Sequence, residues 1–444
     1  MRKSSLIGHV AELLDTVLAS GQPADSVVRE FYRKRHYLGS RDRRYVSETL
    51  FGILRQYRLL ESIARRAIPP QSFLRSPKVP SIALCATYAL RVLGETATDL
   101  EPDIAGLWRV VWFDVDCTAY LESIGKIDAF EGVGSDPAKR IALETSMPDS
   151  IVREWIARFG EAEASQLCKA SNQPAPTAIR VNSLKCTVEQ CREVLLGEGI
   201  ATERTALSPA GLTLDRRVNT QALSSFRLGF FELQDEGSQL IAMLLEPRPG
   251  WTVVDACAGG GGKTLHLAAM MGNRGEVIAM DVGELRLKNL AARAVRAGVT
   301  IARPLVVGRD DGVPESLAAR ADAVLVDAPC SGVGTFRRNP GAKLTFSEDF
   351  VAAVSRTQRD LLDKYACLVK PGGRLVYSTC TLLQQENEEV VGRFVATHPE
   401  FSFVSAPDVL RTQAVPAPGE GPFLTLLPHR TSTDGFFASV MVRS

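Results

Sequence analysis

The chain has no long apolar run. Nowhere do ~20 hydrophobic residues follow one another unbroken, so no membrane-spanning helix is expected. The start, Met1-Arg-Lys-Ser-Ser, lacks the core of a secretion signal, because His9, Glu12 and Asp15 interrupt the next residues of the chain. A cytoplasmic protein is expected. An excess of one charge is also missing: 52 Lys+Arg against 51 Asp+Glu give a formal charge of +1, so any electrostatic case for nucleic acid must be local. Histidine is scarce, with five residues widely spaced at 9, 36, 266, 398 and 429. The nine cysteines (85, 117, 168, 186, 191, 257, 330, 367 and 380) are odd in number and scattered, which excludes a disulfide framework. Cys186 and Cys191 lie closest together, but no second pair or nearby histidine completes a zinc site, so no metal is expected. Most of the cysteines read as small buried apolar residues.

What is present suffices for more than one core. A chain of 444 residues with 45% hydrophobic composition predicts two or three domains. Residues 1–145 read as helical: apolar side chains recur at helical spacing in Val10, Leu13, Leu14 and Val17, and again in Val46, Leu50, Ile53 and Leu54. Prolines in Ile68-Pro-Pro-Gln and Ser76-Pro-Lys-Val-Pro separate the helices. This region carries a local basic run. Between Arg29 and Arg58 lie Arg33, Lys34, Arg35, Arg41, Arg43, Arg44 and Arg55, against only Glu30, Asp42 and Glu48. Taken alone, such a run is a solvated helix face; the alternative is a surface that contacts phosphates. Tyr32, Tyr37 and Tyr45 are interleaved with it, for base stacking or for core packing.

Residues 146–240 read as a small α+β module. It contains a helix over 151–159, a break at Pro174-Ala-Pro, an extended Thr177-Ala-Ile-Arg-Val-Asn, and a helix over 188–196. From 241 to 444, short apolar strands alternate with helices: Thr252-Val-Val-Asp, Val277-Ile-Ala-Met-Asp, Leu305-Val-Val, Ala323-Val-Leu-Val-Asp and Arg374-Leu-Val-Tyr-Ser. Continuous apolar strands of this kind predict a parallel sheet covered on both faces, with its ligand at the carboxyl ends of the strands. Asp255, Asp281 and Asp327 end three of the strands, and the last runs into Cys380.

The stretch Asp255-Ala-Cys-Ala-Gly-Gly-Gly-Gly-Lys-Thr264 joins the first of these strands to a helix. Its glycines let the backbone approach a ligand and offer it N–H groups. Gly262-Lys263-Thr264 ends like a phosphate loop, but Cys257 stands where that motif needs glycine, so a nucleotide-triphosphate reading fails. An adenosine cofactor held through its ribose by Asp281 is the better reading, and Asp281 alone does not separate NAD from S-adenosylmethionine. Asp310 or Asp311 is placed to take an adenine amino group, or is a turn residue of Asp-Asp-Gly.

Two more loops carry cysteine just beyond a strand: Asp327-Ala-Pro-Cys-Ser-Gly-Val-Gly and Ser378-Thr-Cys-Thr. Two such cysteines at one sheet edge point to covalent catalysis on a pyrimidine. C5 is too weak a nucleophile to take a methyl group unaided, and a thiolate added at C6 activates it. The thiolate needs an electropositive setting, to which Lys263 contributes, while Asp327 suits the N3/N4 edge of cytosine.

These residues resemble the RsmB/Fmu (NOL1/NOP2/Sun) family of RNA cytosine-C5 methyltransferases. The similarity rests on Gln234-Asp-Glu, the loop from Cys257 to Thr264, Asp327-Ala-Pro-Cys-Ser-Gly, Ser378-Thr-Cys, Glu386-Asn387 and Asp434-Gly-Phe-Phe437. Ile179-Arg-Val-Asn-Ser-Leu-Lys185 is similar to the family's RNA-side module. Asp42 and Phe51-Gly-Ile-Leu-Arg55 resemble the NusB-like domain fused in front of the bacterial 16S rRNA enzymes. The resemblance implies a multidomain chain: an all-α NusB-like N-terminal domain, a small α+β RNA-binding module, and a C-terminal α/β Rossmann-like methyltransferase domain. It implies Cys380 as nucleophile, Cys330 assisting release, and Asp327 and Lys263 beside them. For S-adenosyl-L-methionine it implies contacts from Cys257, Ala258, Gly259, Gly260, Gly261, Gly262, Lys263, Asp281, Asp311 and Asp327. Arg180 and Asn182 are implied at the RNA, and Arg337 and Arg338 are available for phosphates. The expected substrate is 16S rRNA; tRNA, or a non-catalytic role in ribosome assembly, are the alternatives. The sequence departs from the family at Gly259-Gly260, where Ala-Pro is usual, and at Gly341 and Leu344, where Asp and Trp are common.

Overall fold

A computed structural model describes residues 1–68, 78–112, 115–308 and 311–444. The prolines at 69, 70 and 77, expected to separate helices, lie outside the described residues, as does Asp310. The chain forms two compact units: Met1–Gln173 with Phe336–Phe346, and Pro174–Thr335 with Ser347–Ser444.

The first unit is helical throughout its described residues. Helix Lys3–Ser20 buries Val10, Leu13, Leu14 and Val17, and helix Ser40–Arg55 buries Val46, Leu50, Ile53 and Leu54, so both apolar stripes face one core. Gly52 leaves room for the Tyr88 ring, since a Cβ there would lie 2.0 Å from the Tyr88 hydroxyl oxygen. The basic run divides. Arg33, Lys34 and Arg44 are exposed and paired with Glu30 or Glu48, whereas Arg35 lies over the Phe31 ring and pairs with Glu12. Tyr32 and Tyr45 pack against the core, and Tyr37 is 63% exposed.

Phe336–Phe346 also belongs to this unit, held by Lys343. Its ammonium donates to the Arg55 carbonyl (2.6 Å), Asn172 Oδ1 (2.7 Å) and the Thr145 carbonyl (3.2 Å). Arg55 in turn donates to the Arg337 carbonyl.

In the second unit, β1 (Thr177–Val181), β2 (Thr202–Arg204), β3 (Gly211–Leu214) and β4 (Phe231–Leu233) form an antiparallel sheet in the order β2-β3-β1-β4. Helix Val188–Gly197 packs on it, opened by a capping box between Thr187 and Gln190. The larger sheet contains β5 (Thr252–Asp255), β6 (Glu276–Asp281), β7 (Ala302–Val306), β8 (Ala321–Asp327), β9 (Val369–Thr379), β10 (Phe401–Val404), β11 (Phe423–Leu426) and β12 (Phe436–Arg443). Its order is β10-β12-β9-β8-β5-β6-β7, with β11 also on β12. The five strands expected to be parallel, β5 to β9, are parallel. The sheet as a whole is mixed, because β12 runs antiparallel to β9 and pairs with β10 and β11. The chain runs outward from β5 through β6 to β7 and then returns to β8 on the other side. This places a switch point between β5 and β8 and opens a crevice at their carboxyl ends.

Burial, with the Arg55 guanidinium adding to it, pushes the Lys343 ammonium down to about 7. Between that value and the free lysine value of 10.5 the unfolded chain holds the extra proton, so stability rises with pH across this window. Relative to Lys343→Met, the wild-type melting temperature should therefore climb from pH 7 to pH 10. A difference that stayed flat with pH would show that Lys343 does not titrate there.

Candidate active site

The loops after β5, β6, β8 and β9 meet at the carboxyl edge of the larger sheet. After β5, Gly259 (φ 53°) and Gly261 (φ 83°) take left-handed backbone before helix Gly262–Met270 begins. A Cβ on Gly261 would lie 2.5 Å from Leu290 Cγ, so only glycine fits there. The Gly259 departure is used by the backbone: its N–H donates to Asp281 Oδ2 at 2.9 Å. Asp281, at the end of β6, accepts from the Gly283 N–H (2.7 Å) through its other oxygen and lies 3.7 Å from Arg286.

Beneath the loop, Asp255 is 1% exposed. Its Oδ2 accepts from Thr264 Oγ1 at 2.7 Å, and its Oδ1 has no partner among the described residues. Burial pushes this carboxyl up to about 6, against the Thr264 hydrogen bond and with the Asp327 charge adding to the rise. Cys257 is half-buried, and its thiol is pushed up by burial and by the neighbouring aspartates.

Lys263, in the first turn of the helix, makes a 2.6 Å ion pair with Asp327 Oδ2 at the end of β8. Ser378 Oγ, near the end of β9, donates to Asp327 Oδ1 at 2.8 Å. Burial opposes the Lys263 charge, but Asp327, aided by Asp255 and Cys380, holds its pKa above the ordinary lysine value. Cys330 and Cys380, from the loops after β8 and β9, bring their sulfurs to 3.2 Å. The hydrogen bond to Cys380 pushes the Cys330 thiol well up, with burial and the Cys380 and Glu386 charges adding to it.

Lys263, Asp327, Cys330, Cys380, Asp281 and the residues from Cys257 to Gly262 thus all lie at one sheet edge. Asp311 does not join them: it is exposed, and its carboxylate accepts from the Gly308 N–H within its own turn. The RNA-facing expectation for Arg180 and Asn182 is corrected. Arg180 is 2% exposed and bonds Gln234 and the Gly262 carbonyl at 2.7 Å; burial pushes its guanidinium down to about 9. Asn182, 4% exposed, ties the Gly229 carbonyl (2.9 Å) to the Ala297 carbonyl (2.8 Å). Both are spent on internal backbone, Arg180 bracing the start of the glycine-loop helix. Arg337 is likewise buried, within the helical unit, while Arg338 is half-buried. Sequence reasoning quoted Ser331, Ser378, Thr381 and Glu386 only as motif letters and missed Gln358, which reaches the cysteine loops from helix Glu348–Ala366.

An adenosine cofactor suits this donor set. Left-handed glycines and a helix start supply N–H groups, Asp281 supplies a carboxylate at the end of the second parallel strand, and Asp255 Oδ1 is a buried acceptor awaiting a donor. Asp281→Ala should weaken S-adenosyl-L-methionine binding by about tenfold or more, the loss of one charge-assisted hydrogen bond. Isothermal titration calorimetry measures this, and an unchanged Kd would remove Asp281 from the site.

Comparison with known proteins extends the picture. The family model described as 16S rRNA methyltransferase RsmB/F matches residues 242–442, and the RsmF/B-like ferredoxin-like domain matches residues 147–221. A probable ribosomal RNA small subunit methyltransferase B from Bacillus subtilis is 36% identical over 72% of this chain and 70% of its own length. A protein of the same description from Synechocystis is 31% identical over 91% of this chain and 92% of its own. Among solved structures, PH0851 shares 27% identity at a TM-score of 0.78, covering 99% of each chain. A methyltransferase homologue from Pyrococcus horikoshii shares 26% at 0.59, covering 70% of this chain and all of that one. With a mixed Rossmann-like sheet, its glycine loop and both cysteine loops in place, the chain belongs to the RsmB/F family of 16S rRNA methyltransferases, which act with S-adenosyl-L-methionine.

Proposed function

We propose that this enzyme methylates carbon 5 of a cytosine in ribosomal RNA, of the small subunit, through a covalent adduct between Cys380 and cytosine C6. The observation that carries the reading is the approach of two cysteine sulfurs to 3.2 Å at the ligand edge of the sheet, next to a half-buried lysine–aspartate pair. The names of the relatives support ribosomal RNA as the substrate.

The Cys380 thiolate adds to C6, and the electron pair displaced from the C5–C6 double bond makes C5 nucleophilic. S-adenosyl-L-methionine, when bound, supplies an electrophilic methyl group. Lys263 carries a positive charge that interacts with the Cys380 sulfur. Asp327, held between Lys263 and Ser378, keeps an acceptor fixed for the N3/N4 edge of the base. After methylation a water molecule takes the C5 proton, the electron pair left behind restores the C5–C6 double bond, and the C6–S bond breaks to return a thiolate to Cys380. Cys330, beside that sulfur, assists this release.

Cofactor contacts are assigned to Cys257, Ala258, Gly259, Gly260, Gly261, Gly262, Lys263, Asp281 and Asp327. Residues 1–145 and 146–240 are assigned to RNA binding and 241–444 to catalysis. Arg338 and the exposed Arg33, Lys34, Arg41 and Arg44 suit phosphates.

Tritiated methyl transfer to unmodified 16S rRNA tests the assignment. Cys380→Ala should abolish transfer and yield no RNA-linked protein on a denaturing gel. Cys330→Ala should form that adduct and accumulate it. Normal methylation by both variants would refute the mechanism.

A further inference from the structure

Glu386 takes no part in the chemistry above, yet it is fully buried between the two cysteine loops. It lies in a short turn six residues beyond Cys380, and its carboxylate reaches back to the loop of Cys330. Oε2 accepts from the Ser331 N–H at 2.8 Å and from Gln358 Nε2 at 2.9 Å, while Oε1 accepts from the Ser331 hydroxyl. The same hydroxyl lies 3.0 Å from Thr381 Oγ1, adjacent to Cys380, and Gln358 also holds the Pro329 carbonyl at 2.9 Å. The residues on either side of Cys330 are thereby fixed, one to Glu386 directly and one through Gln358. Glu386 is fastened in turn, since its carbonyl accepts from the Tyr377 hydroxyl at 2.6 Å on β9. Asn387 continues the brace, accepting from Thr379 (2.6 Å) and donating to the Thr381 carbonyl (3.1 Å) on the two sides of Cys380.

We infer that Glu386 is a positioning residue that locks the Cys330 loop against Cys380. A carboxylate buried among neutral donors is a costly choice for bracing alone, because an amide or hydroxyl acceptor would serve for geometry. Its charge adds to burial and to the Cys380 sulfur in disfavouring a second thiolate at Cys330. Two adjacent thiols then carry distinct roles: Cys380 attacks, and Cys330 retains its proton until release. This inference rests on the covalent reading of the two cysteines.

The test uses the full-length chain. In a Cys380→Ala background, the pH dependence of iodoacetamide alkylation at Cys330 is followed by mass spectrometry of its peptide, with and without Glu386→Gln. Removing the charge should lower the apparent pKa of Cys330 by about one unit, a tenfold rise in alkylation rate at fixed pH below it. Ser331→Ala, which leaves the carboxylate in place, should leave that pKa unmoved. In the otherwise wild-type enzyme, both variants should slow release and accumulate RNA adduct, while binding S-adenosyl-L-methionine normally. An unmoved Cys330 titration in Glu386→Gln, or no adduct in either variant while Cys330→Ala accumulates it, overturns the role of Glu386 and spares the nucleophile assignment. Failure of Cys330→Ala itself to accumulate adduct strikes the release mechanism instead. If Glu386→Gln does not fold, Ser331→Ala decides: adduct accumulation supports the brace, and wild-type turnover overturns it.

Discussion

The ion pair between Lys263 and Asp327 joins the parts of the sheet that do chemistry. Lys263 comes from the helix after β5 and Asp327 from the end of β8, the two neighbouring strands at the switch point, and Ser378 on β9 closes the third side. Ion pairs out of water seldom repay their desolvation as stability, so the pair is better understood through what its charges do locally. Asp255 stands below with its carboxyl pushed up to about 6, chiefly by burial and partly by Asp327. A carboxyl of that pKa is still mostly ionised at neutral pH, so the lysine charge is held by Asp255 as well as by Asp327.

That arrangement gives the two cysteines different environments although their sulfurs touch. Cys380 interacts electrostatically with Lys263, whereas the Cys330 thiol is pushed up by its hydrogen bond to Cys380, by burial and by the Cys380 and Glu386 charges. The architecture that does this is simple: adjacent parallel strands end at the same edge, so side chains far apart in sequence become neighbours without any long-range loop.

Much of this was legible in the chain. Parallel strands buried on both faces read as unbroken apolar runs, so β5, β6, β8 and β9 stood out, and with them the acids and cysteines at their ends. The antiparallel strand β12 did not stand out, because Phe436–Arg443 carries its alternation weakly and two of its partners, β9 and β10, are not its neighbours in sequence. Arg180 and Asn182 were misread for a related reason. A cation on an extended segment of a module compared with RNA-side domains suggests phosphate, but whether its guanidinium meets solvent or the Gly262 carbonyl depends on the packing partner. Glu386 was visible as a letter and silent as a role, since its donors lie 28 and 55 residues away.

The stretch after Cys330 shows the same limit from the other side. Read along the chain, Arg337 to Leu344 continues a catalytic loop, so Gly341 and Leu344 look like changes in substrate contact. In the fold they belong to the helical unit: Leu344 packs against its core, and a Cβ at Gly341 would come within 3.7 Å of Ala24 and 3.9 Å of Leu54. Lys343 binds three acceptors of that unit, so what this segment requires is complementarity to helices far away in sequence. A side chain at 341 or 344 is selected by the space those helices leave, and the departures there are matters of packing before they are matters of substrate.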